Sequence, residues 1–184
     1  VHGVPESFQR AYSIMMTEPQ GPIYMCYDAG LQEEPLTEEV TLPLANYAAV
    51  PSPMMPDPEA LEAIADKLVK SDDPLLMAEY HARREGGFES LIELAETVGA
   101  PVWDIHNALN FPNRHPLSAS LDKSIFKDRD LIVGLDLKDY EKATHDLDNA
   151  ERKLKALPPS NCDYVEIGFG EIGISKWAMD YCRM

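Results

Sequence analysis

One unit occurs twice in succession within residues 57–105, and this repetition constrains the fold more than any other feature of the sequence. Each copy has an amphipathic helical pattern, a break that contains proline, and a short apolar run. The alternative is that the helices belong to a helical bundle. However, the apolar runs directly after proline are too short to be helices and too evenly placed to be loops. The pattern therefore favours an open parallel sheet covered by helices. The helical positions are Leu61, Ile64, Ala65 and Leu68 in the first copy and Leu91, Leu94, Ala95 and Val98 in the second.

The rest of the chain repeats this alternation of helix, proline and strand. Apolar runs rich in β-branched or aromatic residues and bounded by Gly, Pro or Asp predict the strands. Apolar residues at helical spacing predict the helices, one of which is expected to end before Pro158 and Pro159. The predicted strands are residues 23–27, 75–78, 102–105, 131–135 and 164–167, and the further predicted helices are residues 6–17, 139–157 and 174–181.

A proline-rich segment, residues 33–56, separates the first helix and strand from the repeated unit. A stretch of this length with little periodicity is improbable inside a compact domain, so we interpret it as an extended, semi-rigid interdomain linker. The expected architecture is α/β: a Rossmann-like open parallel sheet with helices on both faces in residues 57–184. It is preceded by an orphan helix and strand in residues 1–32 and by this linker.

The formal net charge of −16 argues against nucleic acid or an anionic membrane as a partner, because a phosphate backbone is bound by clustered Lys and Arg. No apolar run approaches the roughly 20 residues that a membrane span needs. Cys26, Cys162 and Cys182 include no C-x-x-C pair, which favours reduced thiols in a cytoplasmic protein over disulfides or a zinc site.

Several short motifs, taken in order, resemble thiamine-diphosphate-dependent enzymes of the acetolactate synthase and benzoylformate decarboxylase type. The resemblance implies that residues 1–32 are the C-terminal end of a pyrimidine-binding domain, residues 33–56 a linker, and residues 57–184 the central domain. The matching motifs are Arg10-Ala11, Gly21-Pro22-Ile23-Tyr24, Asp28 and Gln32, then Leu91-Ile92-Glu93-Leu94-Ala95-Glu96, Phe111-Pro112 and His115-Pro116.

The sequence departs from this family in the parts that bind the cofactor. The family's activating Glu would lie before Val1, and no Gly-Asp-Gly motif for Mg²⁺ and diphosphate occurs. We therefore expect a fragment that binds no thiamine diphosphate and catalyses nothing alone, while the parent enzyme requires thiamine diphosphate and Mg²⁺. We assign no catalytic, cofactor-binding or metal-binding residue.

The resemblance makes the strand ends a candidate nucleotide site, because some members of this family hold FAD or ADP in the central domain. Such a site needs Gly and a helix N-terminus near the phosphates, whereas the strand ends here carry acids and no G-x-G-x-x-G follows. Flavin binding is therefore not expected, although Gly86-Gly87 is a possible phosphate cradle. The acids at the strand ends are Glu79, Asp104, Asp136 and Glu166.

Three of these acids could converge with two histidines as a divalent metal or acid–base cluster, but acids that cap the strand ends and face solvent are the expectation. The cluster would consist of Glu79, Asp104 and Asp136 with His81 and His106.

Two hypotheses of function remain. The first is a non-catalytic central domain that spaces and docks the cofactor-binding domains of an enzyme acting on 2-keto acids. The second is a stand-alone Rossmann-like module for a nucleotide such as FAD or ADP, or for an acyl-CoA-like ligand. Residues 1–32 favour the first, because an independent module has no need of them. Their apolar side chains also predict a homo-oligomer in which this segment contributes contact.

Overall fold

The computed structural model describes residues 3–105, 108–120 and 122–169, and the chain divides into two compact units after Met55. The predicted helix at residues 174–181 lies outside the described residues. None of the helices within the described ranges has the length and hydropathy of a membrane span.

The first unit is built around helix α1 (Gly3–Met16), which agrees with the predicted helix at residues 6–17. Helix α2 (Ala29–Glu33) begins after Asp28, whose side chain accepts a hydrogen bond from the N–H of Gly30. The predicted strand at residues 23–27 is wrong, since these residues form no ladder with any residue that the structure describes.

Part of the proline-rich segment lies against α1. Gln9 Nε2 donates a hydrogen bond to the carbonyl of Leu44, and Ser13 Oγ donates one to the carbonyl of Ala49. Gln9 and Ser13 are four residues apart and therefore lie on one side of the helix. This side of α1 accordingly holds residues 44–49 within the same unit.

The second unit contains the predicted parallel sheet. Four strands are hydrogen-bonded in the order β2, β1, β3, β6, and all three pairings are parallel. The α/β prediction is therefore confirmed. The strands are β1 (Pro74–Ala78), β2 (Val102–Asp104), β3 (Leu131–Leu135), β4 (His145–Asp148), β5 (Lys153–Ala156) and β6 (Asp163–Ile167).

The two long helices of this unit, α3 (Pro58–Lys70) and α4 (Gly87–Val98), pack on one face of the sheet. Asp57 begins α3, because its side chain accepts a hydrogen bond from the N–H of Glu59. Gly99 ends α4 with a φ of +66°, a conformation that favours glycine. Helix boundaries predicted from the repeat thus correspond to real caps.

The other face of the sheet is covered by short segments. A 3₁₀ helix, Lys123–Phe126, and the helix α5 (Tyr140–Thr144) pack there against Leu75, Met77 and Ile132. Helical segments therefore lie on both faces, as predicted, but the long helices share one of them.

The predicted helix over residues 139–157 is wrong. After α5 the chain forms an antiparallel hairpin of β4 and β5, with Leu147 opposite Leu154. Asp148 stabilises the turn between β4 and β5, because its carboxylate accepts hydrogen bonds from the N–H groups of Ala150 and Glu151. Leu147 and Leu154 have helical spacing in the sequence, but this local turn places them on opposite strands.

Candidate functional site at the carboxyl ends of the sheet

The carboxyl ends of the four parallel strands lie at one edge of the sheet, where open α/β sheets usually bind ligands. The chain goes from β1 to the neighbouring β2 on one side, and from β3 to β6 on the other side. The strand order therefore reverses between β1 and β3. Glu79 directly follows β1 and Asp136 directly follows β3, so these two acids occupy the point where a ligand would be expected.

Glu79 is only 5% exposed and is bonded within the protein. Its Oε2 atom accepts a hydrogen bond from the N–H of Lys138, and its own N–H donates to the carbonyl of Leu135. The pairing of β1 with β3 thus continues beyond the last residues of both strands. The Glu79 carboxylate consequently stabilises the loop that follows β3.

Asn110 joins the loops that follow β1 and β2, and it is fully buried. Its Nδ2 donates to the carbonyl of Glu79 at 2.9 Å, to Asp104 Oδ1 at 2.9 Å and to the carbonyl of Ala108 at 3.2 Å. Its Oδ1 accepts from the N–H of Ala82 at 3.0 Å. One amide therefore satisfies polar groups of both loops. The sequence does not reveal this role, because Asn110 lies in a turn-rich loop with no periodic pattern.

Asp104, at the end of β2, is 3% exposed and completes the same network. Its Oδ2 accepts hydrogen bonds from the N–H groups of Asn110 and Phe111, at 3.0 and 3.1 Å. Its own N–H donates to Ser120 Oγ at 2.9 Å. Because these donors come from the loop after β2, the carboxylate fixes that loop onto the strand end.

Asp136 is paired with Arg83, whose guanidinium lies 2.8 Å from Asp136 Oδ2 and 3.1 Å from Oδ1. The Asp136 backbone has a φ of +54° and lies close to Gly168. A Cβ atom at Gly168 would lie 2.7 Å from the Cα of Asp136, so no larger residue fits without movement of the backbone. The end of β3 is therefore closed by an ion pair on one side and by backbone contact on the other.

The expectation that the acids at the strand ends face solvent is wrong for Glu79 and Asp104. Both carboxylates are buried because they accept backbone N–H groups of the loops, which compensates for the loss of water. The acids also do not converge as a metal or acid–base cluster: within residues 3–105, 108–120 and 122–169, no three His, Cys, Asp or Glu side chains are close enough to hold an ion. His106 lies outside the described residues.

His81 lies in the 3₁₀ helix His81–Arg83, between β1 and α4. Burial lowers the pKa of His81, although a hydrogen bond with the backbone of Gly87 and the nearby Asp136 carboxylate act in the opposite direction. The imidazole is therefore neutral at pH 7.

The Gly86-Gly87 pair, considered as a phosphate cradle, has a packing explanation. Gly86 adopts a φ of +78° before α4, which suits glycine. A Cβ atom at Gly87 would lie 2.7 Å from the carbonyl oxygen of His81. Both glycines are thus required for the tight turn between the 3₁₀ helix and α4.

A cavity of about 230 Å³ lies beside the ends of β1 and β2, on the face that carries α5 and the hairpin. Trp103, Ile105 and Leu157 supply apolar lining. Lys123 forms an ion pair with Asp146 at its edge. Pockets for drug-sized ligands have volumes of about 300–1,000 Å³, so this cavity is smaller than those.

His115 holds the loop after β2 in place. Its Nδ1 accepts a hydrogen bond from the N–H of Leu117, and its Nε2 lies 3.2 Å from Glu96 Oε1 on α4. Its ring also meets Phe111 edge to face, with centroids 4.8 Å apart. His115 therefore links this loop to the helix layer.

Cys26 and Cys162 are free thiols, and Cys182 lies outside the described residues. Burial, and then the nearby Asp130 and Asp163 carboxylates, raise the pKa of Cys162 to about 11. Its thiol is therefore protonated and weakly nucleophilic at neutral pH.

The solved structures that are similar to this chain include two enzymes of one kind. Benzoylformate decarboxylase from Polynucleobacter necessarius is 27% identical, with a TM-score of 0.68 over 91% of this chain. A protein from Mycobacterium smegmatis that is assigned to the thiamin diphosphate-dependent enzymes is 24% identical, with a TM-score of 0.60 over 90% of this chain. The fold is shared with thiamin diphosphate-dependent enzymes.

This likeness to thiamin diphosphate-dependent enzymes covers a minor part of each relative. The matched region is 31% of the length of both solved chains. No protein-family model matches the sequence. The short motifs and the structural neighbours thus indicate the same class of enzyme. The assignment of residues 1–32, 33–56 and 57–184 to particular domains stays a prediction.

Proposed function

We propose that this chain is a segment of a thiamin diphosphate-dependent enzyme that acts on 2-keto acids, in the manner of an acetolactate synthase. Residues 57–184 are its central domain, which spaces and docks the two cofactor-binding domains and takes no part in catalysis. The other domains of the same enzyme are its main partners. The likeness to two solved structures, over nine tenths of this chain and under a third of theirs, supports the proposal.

The residues that the structure describes do not fit the cofactor itself. Diphosphate and Mg²⁺ need free donors and carboxylates that converge, but the carboxylates of Glu79 and Asp104 accept backbone N–H groups and Asp136 is paired with Arg83. In the full enzyme, thiamin diphosphate and Mg²⁺ are bound by other domains. The polar groups at the strand ends serve here to close loops onto the sheet.

The proposal predicts what the reading frame encodes on either side of this segment. DNA sequencing beyond the codon of Met184 is expected to show a Gly-Asp-Gly motif followed by an Asn pair, and sequencing before Val1 a Glu-bearing pyrimidine-binding domain. Stop and start codons that confine the frame to this segment would contradict the proposal.

The alternative function is a stand-alone module that binds a nucleotide such as FAD or ADP, or an acyl-CoA-like ligand. The cavity beside the ends of β1 and β2 favours it, because such ligands bind at the carboxyl ends of strands.

We expect no change in the melting temperature of this chain on addition of about 1 mM ADP or FAD, since the crevice between β1 and β3 is closed by Glu79, Asp136 and Arg83. Differential scanning fluorimetry measures this. A ligand present at 100 times its Kd would stabilise the protein by about 2.7 kcal/mol, or roughly 5–10 °C for a domain of this size. A shift of that extent with ADP, but not with an equal concentration of inorganic phosphate, would favour the nucleotide-binding module.

A further inference from the structure

We draw no further inference here: the strongest candidate, the cavity beside the carboxyl ends of β1 and β2, belongs to the candidate site already described, and the carboxylates of Glu79, Asp104 and Asp146 in its lining are bonded to backbone N–H groups or to Lys123, so they define no class of ligand.

Discussion

Replacement of Asn110 by alanine is expected to lower the free energy of unfolding by about 3 kcal/mol or more. The Asn110 side chain is fully buried, and its amide bonds to the carbonyls of Glu79 and Ala108, to the carboxylate of Asp104 and to the N–H of Ala82. Alanine leaves these buried groups without their partner, and each such group costs about 1–3 kcal/mol. Urea denaturation followed by circular dichroism measures the change.

Asn113→Ala is the matched control for this variant. Asn113 lies in the same loop but is exposed and makes no side-chain hydrogen bond within the described residues. Its replacement is expected to change the free energy of unfolding by less than about 0.5 kcal/mol. If Asn110→Ala were equally mild, the loops after β1 and β2 would not depend on this amide.

The roles of Asn110 and Arg83 show why the candidate site was only partly predictable. The acids that follow the strands could be found in the sequence, because each comes directly after an apolar run. Their partners could not, since Asn110 is 31 residues from Glu79 and Arg83 is 53 residues from Asp136. Whether an acid faces solvent or accepts backbone N–H groups depends on these distant contacts. The sequence therefore predicted the place of the polar groups and misjudged their environment.

Prediction of the fold succeeded where periodicity, caps and breaks agreed. In residues 57–105, the caps Asp57 and Gly99 mark the same boundaries as the apolar pattern does. So do Pro74, the first residue of β1, and Pro101, directly before β2. In residues 139–157 these signals conflict: leucines occur at helical spacing, but Asp148 favours a turn. The strand at residues 23–27 was predicted from its own composition, yet a ladder also needs a partner. Local propensity cannot supply that information.

The face of the sheet that has no long helix is covered by short segments that pack against Leu75. Leu75→Ala and Leu76→Ala are each expected to lower the free energy of unfolding by about 2–5 kcal/mol. The two leucines are adjacent in β1 and fully buried on opposite faces, Leu76 with α3 and α4 and Leu75 with Phe126 and Leu137. Similar losses are expected because a packed core resists a cavity whether a long helix or several short segments cover it.

Val69→Ala on α3 serves as the control, since Val69 is 81% exposed and loses little burial on truncation. Thermal and urea unfolding of the three variants are compared with the unmodified chain. A loss below about 1 kcal/mol for Leu75→Ala, together with a full loss for Leu76→Ala, would mean that α5, the hairpin and the 3₁₀ helix cover their face only loosely. In that case the cavity beside Trp103 and Leu157 would be part of a poorly packed layer rather than a defined space. Comparable losses for both leucines would instead establish two close-packed layers around a sheet whose helices are unequally divided between its faces.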